Sequence, residues 1–75
     1  PVFEFARVQI PEMNLPSLTA DIYNVLGQRV QTTLLTKVTA GQYVFRLDNQ
    51  TCTGRYFLLI GHYGNPIVVP FLYLR

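Results

Sequence analysis

The stretch Asp21-Ile22-Tyr23-Asn24-Val25-Leu26-Gly27-Gln28-Arg29-Val30 decides the fold class of this chain. An alternating apolar strand runs into a glycine turn, and a second strand leaves directly after Gly27. A turn this tight needs a residue with a positive φ, which glycine adopts without a steric penalty. The stretch therefore predicts a β-hairpin with Gly27 in its turn.

The same two-residue period runs through most of the chain, and no segment of helical period reaches a useful length. The strand at residues 29–34 places Val30, Thr32 and Leu34 on one face, and residues 36–41 read as a polar connector. The other alternating positions that share a face are Val8 and Ile10; Leu18, Ala20 and Ile22; Tyr43, Phe45 and Leu47; and Tyr56, Leu58 and Ile60. The pattern predicts an all-β fold, a small antiparallel β-sandwich or partial barrel of about six to seven strands. Sequential pairing is the default expectation, and Greek-key and meander orders both stay open.

Composition narrows the function classes. The 75 residues predict a single domain, 49% are hydrophobic, and the lone Cys52 excludes an internal disulfide framework. The chain contains no run of Lys or Arg, so the sequence does not indicate nucleic-acid binding. Only 13% of residues are charged, which suggests that another molecule covers part of the surface. Because no Met opens the sequence, residues 1–75 are expected to be one domain of a longer secreted protein.

The last predicted strand is apolar on both faces. One face carries alternate residues from Ile67 to Tyr73, and the other carries Val68, Leu72 and Leu74. Only one face of a sandwich strand can point inward, and Pro70 predicts an edge strand or a bulge. Burying three such side chains is worth on the order of 5 kcal/mol. The outer face is expected either to pack under loops or a neighbouring domain or to be an exposed apolar patch, and the edge strand is a candidate for docking a partner by strand addition, which includes a dimer through this strand.

The residues capable of chemistry are scattered. His62 has no acid close in sequence, and Cys52 reads as an incidental, part-buried thiol. Glu4 and Asp21 could face each other across paired strands, although they read more readily as solvent-facing positions. Asn49-Gln50-Thr51 matches a glycosylation pattern but is interpreted as a turn. The sequence predicts no active site, no cofactor and no metal.

Two segments repeat the form Gly-x-Tyr at the start of a strand, at Gly41–Tyr43 and Gly54–Tyr56. Each predicts a turn glycine followed by an inward aromatic side chain that closes one end of the sandwich. Tyr23, on the outer face of its strand, supports a weaker hypothesis, which is stacking on a carbohydrate.

Three pieces of the chain together resemble a known family. Ile22–Val30, Gly54–Phe57 and the closing Phe71–Arg75 are similar to the type A C-terminal sorting domains of proteins exported by the bacterial type IX secretion system. The resemblance implies an immunoglobulin-like β-sandwich. The positions that match the family's pattern or its turns are Ile22, Tyr23, Val25, Leu26, Gly27, Val30, Gly41, Gly54, Tyr56 and Phe57.

The resemblance also implies the function. Such a domain is a non-catalytic address label on a protein of a Bacteroidota-type bacterium. The cargo folds in the periplasm, and outer-membrane translocon and sortase proteins recognise the domain. A sortase then removes the domain in most members, and the cargo stays at the cell surface or is released. Here the translocon-recognition residues would be Phe71, Leu72, Tyr73, Leu74 and Arg75.

One departure from the family pattern keeps an alternative open. Family members usually carry a Lys near the start of the final strand, where this chain has Val69-Pro70-Phe71. The domain could instead be a retained immunoglobulin-like interaction module of a cell-surface protein or of the secretion machinery. Its partners would then include the upstream domains of the parent chain.

Overall fold

The computed structural model describes residues 4–11, 13–48, 51–61 and 65–74, with Glu4 described by its backbone alone. The described chain forms six strands and no helix, which confirms the all-β prediction. The strands are β1 (Glu4–Gln9), β2 (Ser17–Asn24), β3 (Arg29–Thr39), β4 (Gln42–Leu47), β5 (Gly54–Ile60) and β6 (Ile67–Tyr73).

The six strands form one antiparallel sheet in the order β1-β4-β3-β2-β5-β6. Hairpins connect β2, β3 and β4, while β1 lies beside β4 and β5 lies beside β2. The order is thus two overlapping Greek keys. The expectation of purely sequential pairing is wrong for β1 with β2 and for β4 with β5, because the segments between them cross over instead of turning back. The edge strands β1 and β6 come into contact, so the sheet curls into a shape compatible with a small sandwich.

The core lies inside this curl and follows the predicted alternation. The buried apolar side chains are Val8, Ile10, Ala20, Ile22, Leu35, Tyr43, Phe45, Leu47, Tyr56, Leu58, Ile60 and Tyr73. Leu18, also predicted to face inward, is only partly buried and packs against this cluster. Period-two patterning therefore places nearly every inward residue correctly, because one face of each strand meets the core.

Strand β3 differs from its predicted form in length. Residues 36–39 continue the strand instead of forming a connector, because they pair with Gln42–Val44 of β4. Thr33 and Leu35 face the core, so the face shared by Val30, Thr32 and Leu34 points outward. Because the pairing of β2 with β3 shifts register beside Ile22, Val30 is the extra residue of a β-bulge.

From Thr36 toward the start of β3, backbone pairing between β3 and β4 stops, and the Gln31 side chain supplies hydrogen bonds between the two strands instead. The Gln31 amide donates from Nε2 to the Arg46 carbonyl at 2.7 Å. Its Oε1 accepts from the Asp48 backbone N–H at 3.0 Å. The Thr33 hydroxyl also donates to the Arg46 carbonyl, at 3.1 Å. Gln31 therefore acts as a substitute peptide group that holds the two diverging strands together.

Asp21 and Glu4 do not face each other, so that hypothesis is wrong. Glu4 lies opposite Leu47 of β4, and β1 and β2 are not neighbours in the sheet. Asp21 is also not solvent-facing, because it is buried on the outer side of β2. Its Oδ1 accepts a hydrogen bond from the Thr32 hydroxyl at 2.7 Å, so a buried carboxylate oxygen is satisfied across the β2–β3 pair.

The two Gly-x-Tyr segments are alike in their tyrosines and different in their glycines. Tyr43 is fully buried and donates from its hydroxyl to the Leu15 carbonyl at 2.6 Å. Tyr56 is buried and donates to the Cys52 carbonyl at 2.7 Å. Gly41 has a φ of +77°, as a turn residue requires, whereas Gly54 opens β5 without a positive φ. The turn-glycine interpretation therefore holds for Gly41 only.

Candidate functional site

The β2–β3 hairpin is held by the side chain of Asn24. Asn24 Oδ1 accepts from the backbone N–H of Leu26 at 2.9 Å and from that of Gln28 at 3.0 Å. Gly27 donates to the Asn24 carbonyl at 3.1 Å and has a φ of +79°, which confirms the predicted turn residue. The Asn24 N–H then donates to the Gln28 carbonyl at 3.0 Å, which closes a three-residue loop of the turn-plus-bulge type.

The tip of this hairpin is apolar and lies in solvent. Val25 is 65% exposed and Leu26 is 78% exposed. Sequence reasoning grouped both residues with the structural positions of the hairpin, but neither side chain contributes to the core. Turns usually present polar residues to water, so these two aliphatic side chains on a fixed loop form an unusual exposed apolar patch.

Strand β6 separates the residues predicted for translocon recognition. Tyr73 is buried, and Phe71 packs its ring on Phe45 and Tyr56 at centroid distances of 5.3 and 5.8 Å. Leu72 and Leu74 point the other way and are 60% and 72% exposed. Arg75 lies outside the described residues. Of this set, only the two leucines therefore have described side chains that are largely exposed to solvent.

Strand β6 is an edge strand, as Pro70 predicts. The bond from the Asn24 N–H to the Gln28 carbonyl turns the polar backbone groups of Asn24 toward β3. Alternation along an antiparallel strand then turns those of Tyr23 toward its partner Phe57 on β5. The backbone groups of Phe57 therefore point toward β2 and away from β6. In such an antiparallel pair the backbone groups of the partner, Pro70, point away from β5, so the Pro70 nitrogen lies on the free side of β6. Proline is tolerated there, and the free edge lacks one backbone donor at its centre.

The second apolar face predicted for the last strand is present, and it extends onto β5. Val68 is exposed on β6, while Phe57 and Leu59 of β5 are half-buried beside it. Pairing places Leu59 opposite Val68 and Phe57 opposite Pro70. The face is therefore continuous across both strands and ends at Leu72.

A third apolar surface, not predicted from the sequence, lies where β3 and β4 diverge. It is a trough of about 510 Å³ whose rim includes Phe5, Leu34 and Val44. Phe5 is 65% exposed and Leu34 is 55% exposed. The sequence did contain a signal for this surface. Phe5, Leu34 and Val44 are apolar although residues adjacent to them in sequence face the core.

Among the residues predicted to lack chemical roles, Cys52 is exposed and not part-buried. His62, Asn49 and Gln50 lie outside the described residues. Within the described ranges, no three His, Cys, Asp or Glu residues lie close enough together to hold a metal ion. Nor does any helix there have the length and apolar character needed to cross a membrane.

The described residues form a small all-β fold with exposed apolar surfaces at the β2–β3 tip, along β5 and β6, and above β3 and β4. Comparisons with family models, with curated proteins and with solved structures gave no match.

Proposed function

We propose that this domain is a non-catalytic C-terminal sorting signal that directs its parent protein through an outer-membrane type IX translocon. The proposal rests on the likeness of Ile22–Val30, Gly54–Phe57 and Phe71–Arg75 to such domains. In this proposal the fold is immunoglobulin-like and the partners are translocon and sortase proteins. The domain passes through the periplasm and reaches the cell surface or the medium.

The exposed side of β6 is the observation that supports docking most strongly. Leu72 on the edge strand β6 and Leu74, directly after that strand, project into solvent. Covering one leucine fully contributes about 1.5–3 kcal/mol before the cost of association is subtracted. Phe71 and Tyr73 face the core, so their part in recognition is to hold the strand in place.

Strand addition on the free edge would be incomplete at its centre. Pro70 supplies no N–H to an added strand, and proline on an edge strand hinders indiscriminate pairing. Recognition through the side chains of Leu72 and Leu74 does not depend on that donor. We therefore propose side-chain docking as the main contact and backbone pairing as a secondary one.

Export of a reporter tests the proposal. Residues 1–75 are fused to the C-terminus of a periplasmic fluorescent protein in a bacterium with a type IX system, and a second strain carries the reporter alone. We expect reporter at the surface or in the medium only with the fusion. A folded, stable fusion that stays in the periplasm would contradict the proposal.

The trough above β3 and β4 favours a second candidate, a retained interaction module. Phe5 on β1 and Leu34 on β3 expose apolar surface on strands other than β5 and β6. A neighbouring domain of the parent chain could cover this surface permanently. Mass spectrometry of the exported reporter separates the candidates, because a cleaved signal leaves the reporter without the domain and a retained module stays attached.

A further inference from the structure

The β2–β3 tip shares one end of the molecule with two arginines. Arg29 is the first residue of β3 and follows Gln28, the residue that closes the loop. Asn24 pairs with Tyr56, so Arg55 lies one residue nearer the tip on the adjacent strand. Both arginine side chains are exposed. The apolar tip is therefore flanked by a cation on each of its two neighbouring strands, β3 and β5.

The acidic residues at the tip end of the molecule lie near β4 and β1, which are on the far side of β3 from β2. Asp48 follows β4, and Glu4 begins β1 opposite Leu47. The third described acid, Asp21, is buried and bonded to Thr32. The surface around the tip thus combines aliphatic and cationic groups, whereas Asp21 is buried, Asp48 follows β4 and Glu4 begins β1.

We propose that Val25 and Leu26 insert into an anionic lipid surface, with Arg29 and Arg55 contacting the headgroups. Aliphatic side chains at an interface enter the acyl boundary, and nearby basic residues are attracted to anionic headgroups. Long arginine side chains also keep their charge at the headgroup level while their stems remain in apolar surroundings. This proposal is independent of the sorting function.

The shape of the tip favours a lipid surface over a protein pocket. Leu26 is 78% exposed at the apex of a convex loop, and its backbone N–H is bonded to Asn24 Oδ1. Such a loop is already ordered, so insertion costs little conformational entropy. A planar anionic surface contacts the apex and both flanking arginines together without requiring a matching cavity.

Tryptophan fluorescence tests the insertion directly, because the chain has no tryptophan of its own. Leu26→Trp reports on the tip, and Leu15→Trp reports on another exposed leucine, 54% accessible, in the β1–β2 connection. Both are titrated with phosphatidylcholine vesicles that contain either no phosphatidylglycerol or about one quarter. We expect a blue shift only for Leu26→Trp with the anionic vesicles.

Sedimentation of the chain with the same vesicles measures the energetics without the probe. We expect Leu26→Ser to weaken partitioning about tenfold and Arg29→Gln or Arg55→Gln to weaken it about fivefold each. Leu15→Ser is the matched control and should leave partitioning unchanged. Absence of binding to anionic vesicles would overturn the proposal and leave the tip for a protein pocket. An equal blue shift at both probes would overturn its assignment to the tip.

Discussion

Gly27 holds the only backbone conformation in the β2–β3 turn that a side chain would oppose. Its φ is +79°, and a Cβ built there meets no atom within 4 Å. The penalty for a substitution at Gly27 is therefore conformational and not a clash. A β-branched residue suffers most, since a positive φ is a genuine outlier for such side chains.

We expect Gly27→Val to lower the free energy of unfolding by about 1–3 kcal/mol. Urea denaturation followed by circular dichroism measures the change. Gly54→Ala is the control, because Gly54 has no positive φ and an added Cβ meets only the Tyr56 ring, at 3.8 Å. If Gly27→Val unfolds at the wild-type urea concentration, the turn does not impose the conformation described.

Asn24 makes the loop rigid through its side chain. We expect Asn24→Ala to destabilise the domain by about 1 kcal/mol, because the N–H groups of Leu26 and Gln28 lose a shared acceptor. Asn24→Asp keeps that acceptor and should lose clearly less. Amide hydrogen exchange of Leu26 and Gln28 gives a local readout: protection should fall in Asn24→Ala and largely persist in Asn24→Asp. Equal protection in both variants would contradict the assigned role.

At the scale of the strands, β3 and β4 depend on Gln31 where their ladder ends. We expect Gln31→Ala to cost about 1–3 kcal/mol of stability, because the Arg46 carbonyl loses one donor and the Asp48 N–H loses its acceptor. Thermal unfolding measures the loss. Gln9→Ala, at an exposed position of β1, should change stability by less than about 0.5 kcal/mol. Similar losses in both variants would show that Gln31 does not bridge the strands.

The two faces of β6 separate folding from contact. We expect Phe71→Asp to destabilise the domain by about 3 kcal/mol or more, because the ring packs on Phe45 and Tyr56 and a carboxylate would replace it. Leu72→Asp should cost less than about 1 kcal/mol, since Leu72 lies in solvent. Urea denaturation of the two variants measures both values. Comparable losses would contradict the inward and outward assignment.

Features of the strands that depend on local sequence could be predicted, whereas features that depend on packing between distant strands could not. The inward positions of β1, β4 and β5 follow from two-residue alternation, and Pro70 correctly indicated an edge. The Greek-key order could not be read from the sequence, because crossovers depend on packing between distant strands. The end of β3 was missed because Thr36–Thr39 are stabilised as a strand by pairing with β4, and their polar composition does not indicate this.

At the scale of the whole molecule, the curled sheet leaves apolar residues outside as well as inside. The tip residues Val25 and Leu26 and the outward leucines of β6 account for several of the most exposed apolar side chains. The exposed apolar surfaces were only partly predictable from the sequence. The second face of β6 was visible as an apolar run, whereas the exposure of the tip depends on how Asn24 folds the loop back.

The most direct test of the central claim is the export of a fusion that carries Leu72→Asp, measured as reporter at the cell surface and in the medium. Leu15→Asp is the matched control, because Leu15 is also an exposed leucine but lies near Ile67 at the start of β6, whereas Leu72 lies near the end of that strand. With both fusions folded in the periplasm, we expect Leu72→Asp to lower export at least about tenfold and Leu15→Asp to leave it unchanged. Wild-type export of the folded Leu72→Asp fusion would contradict recognition through the outer face of the last strand.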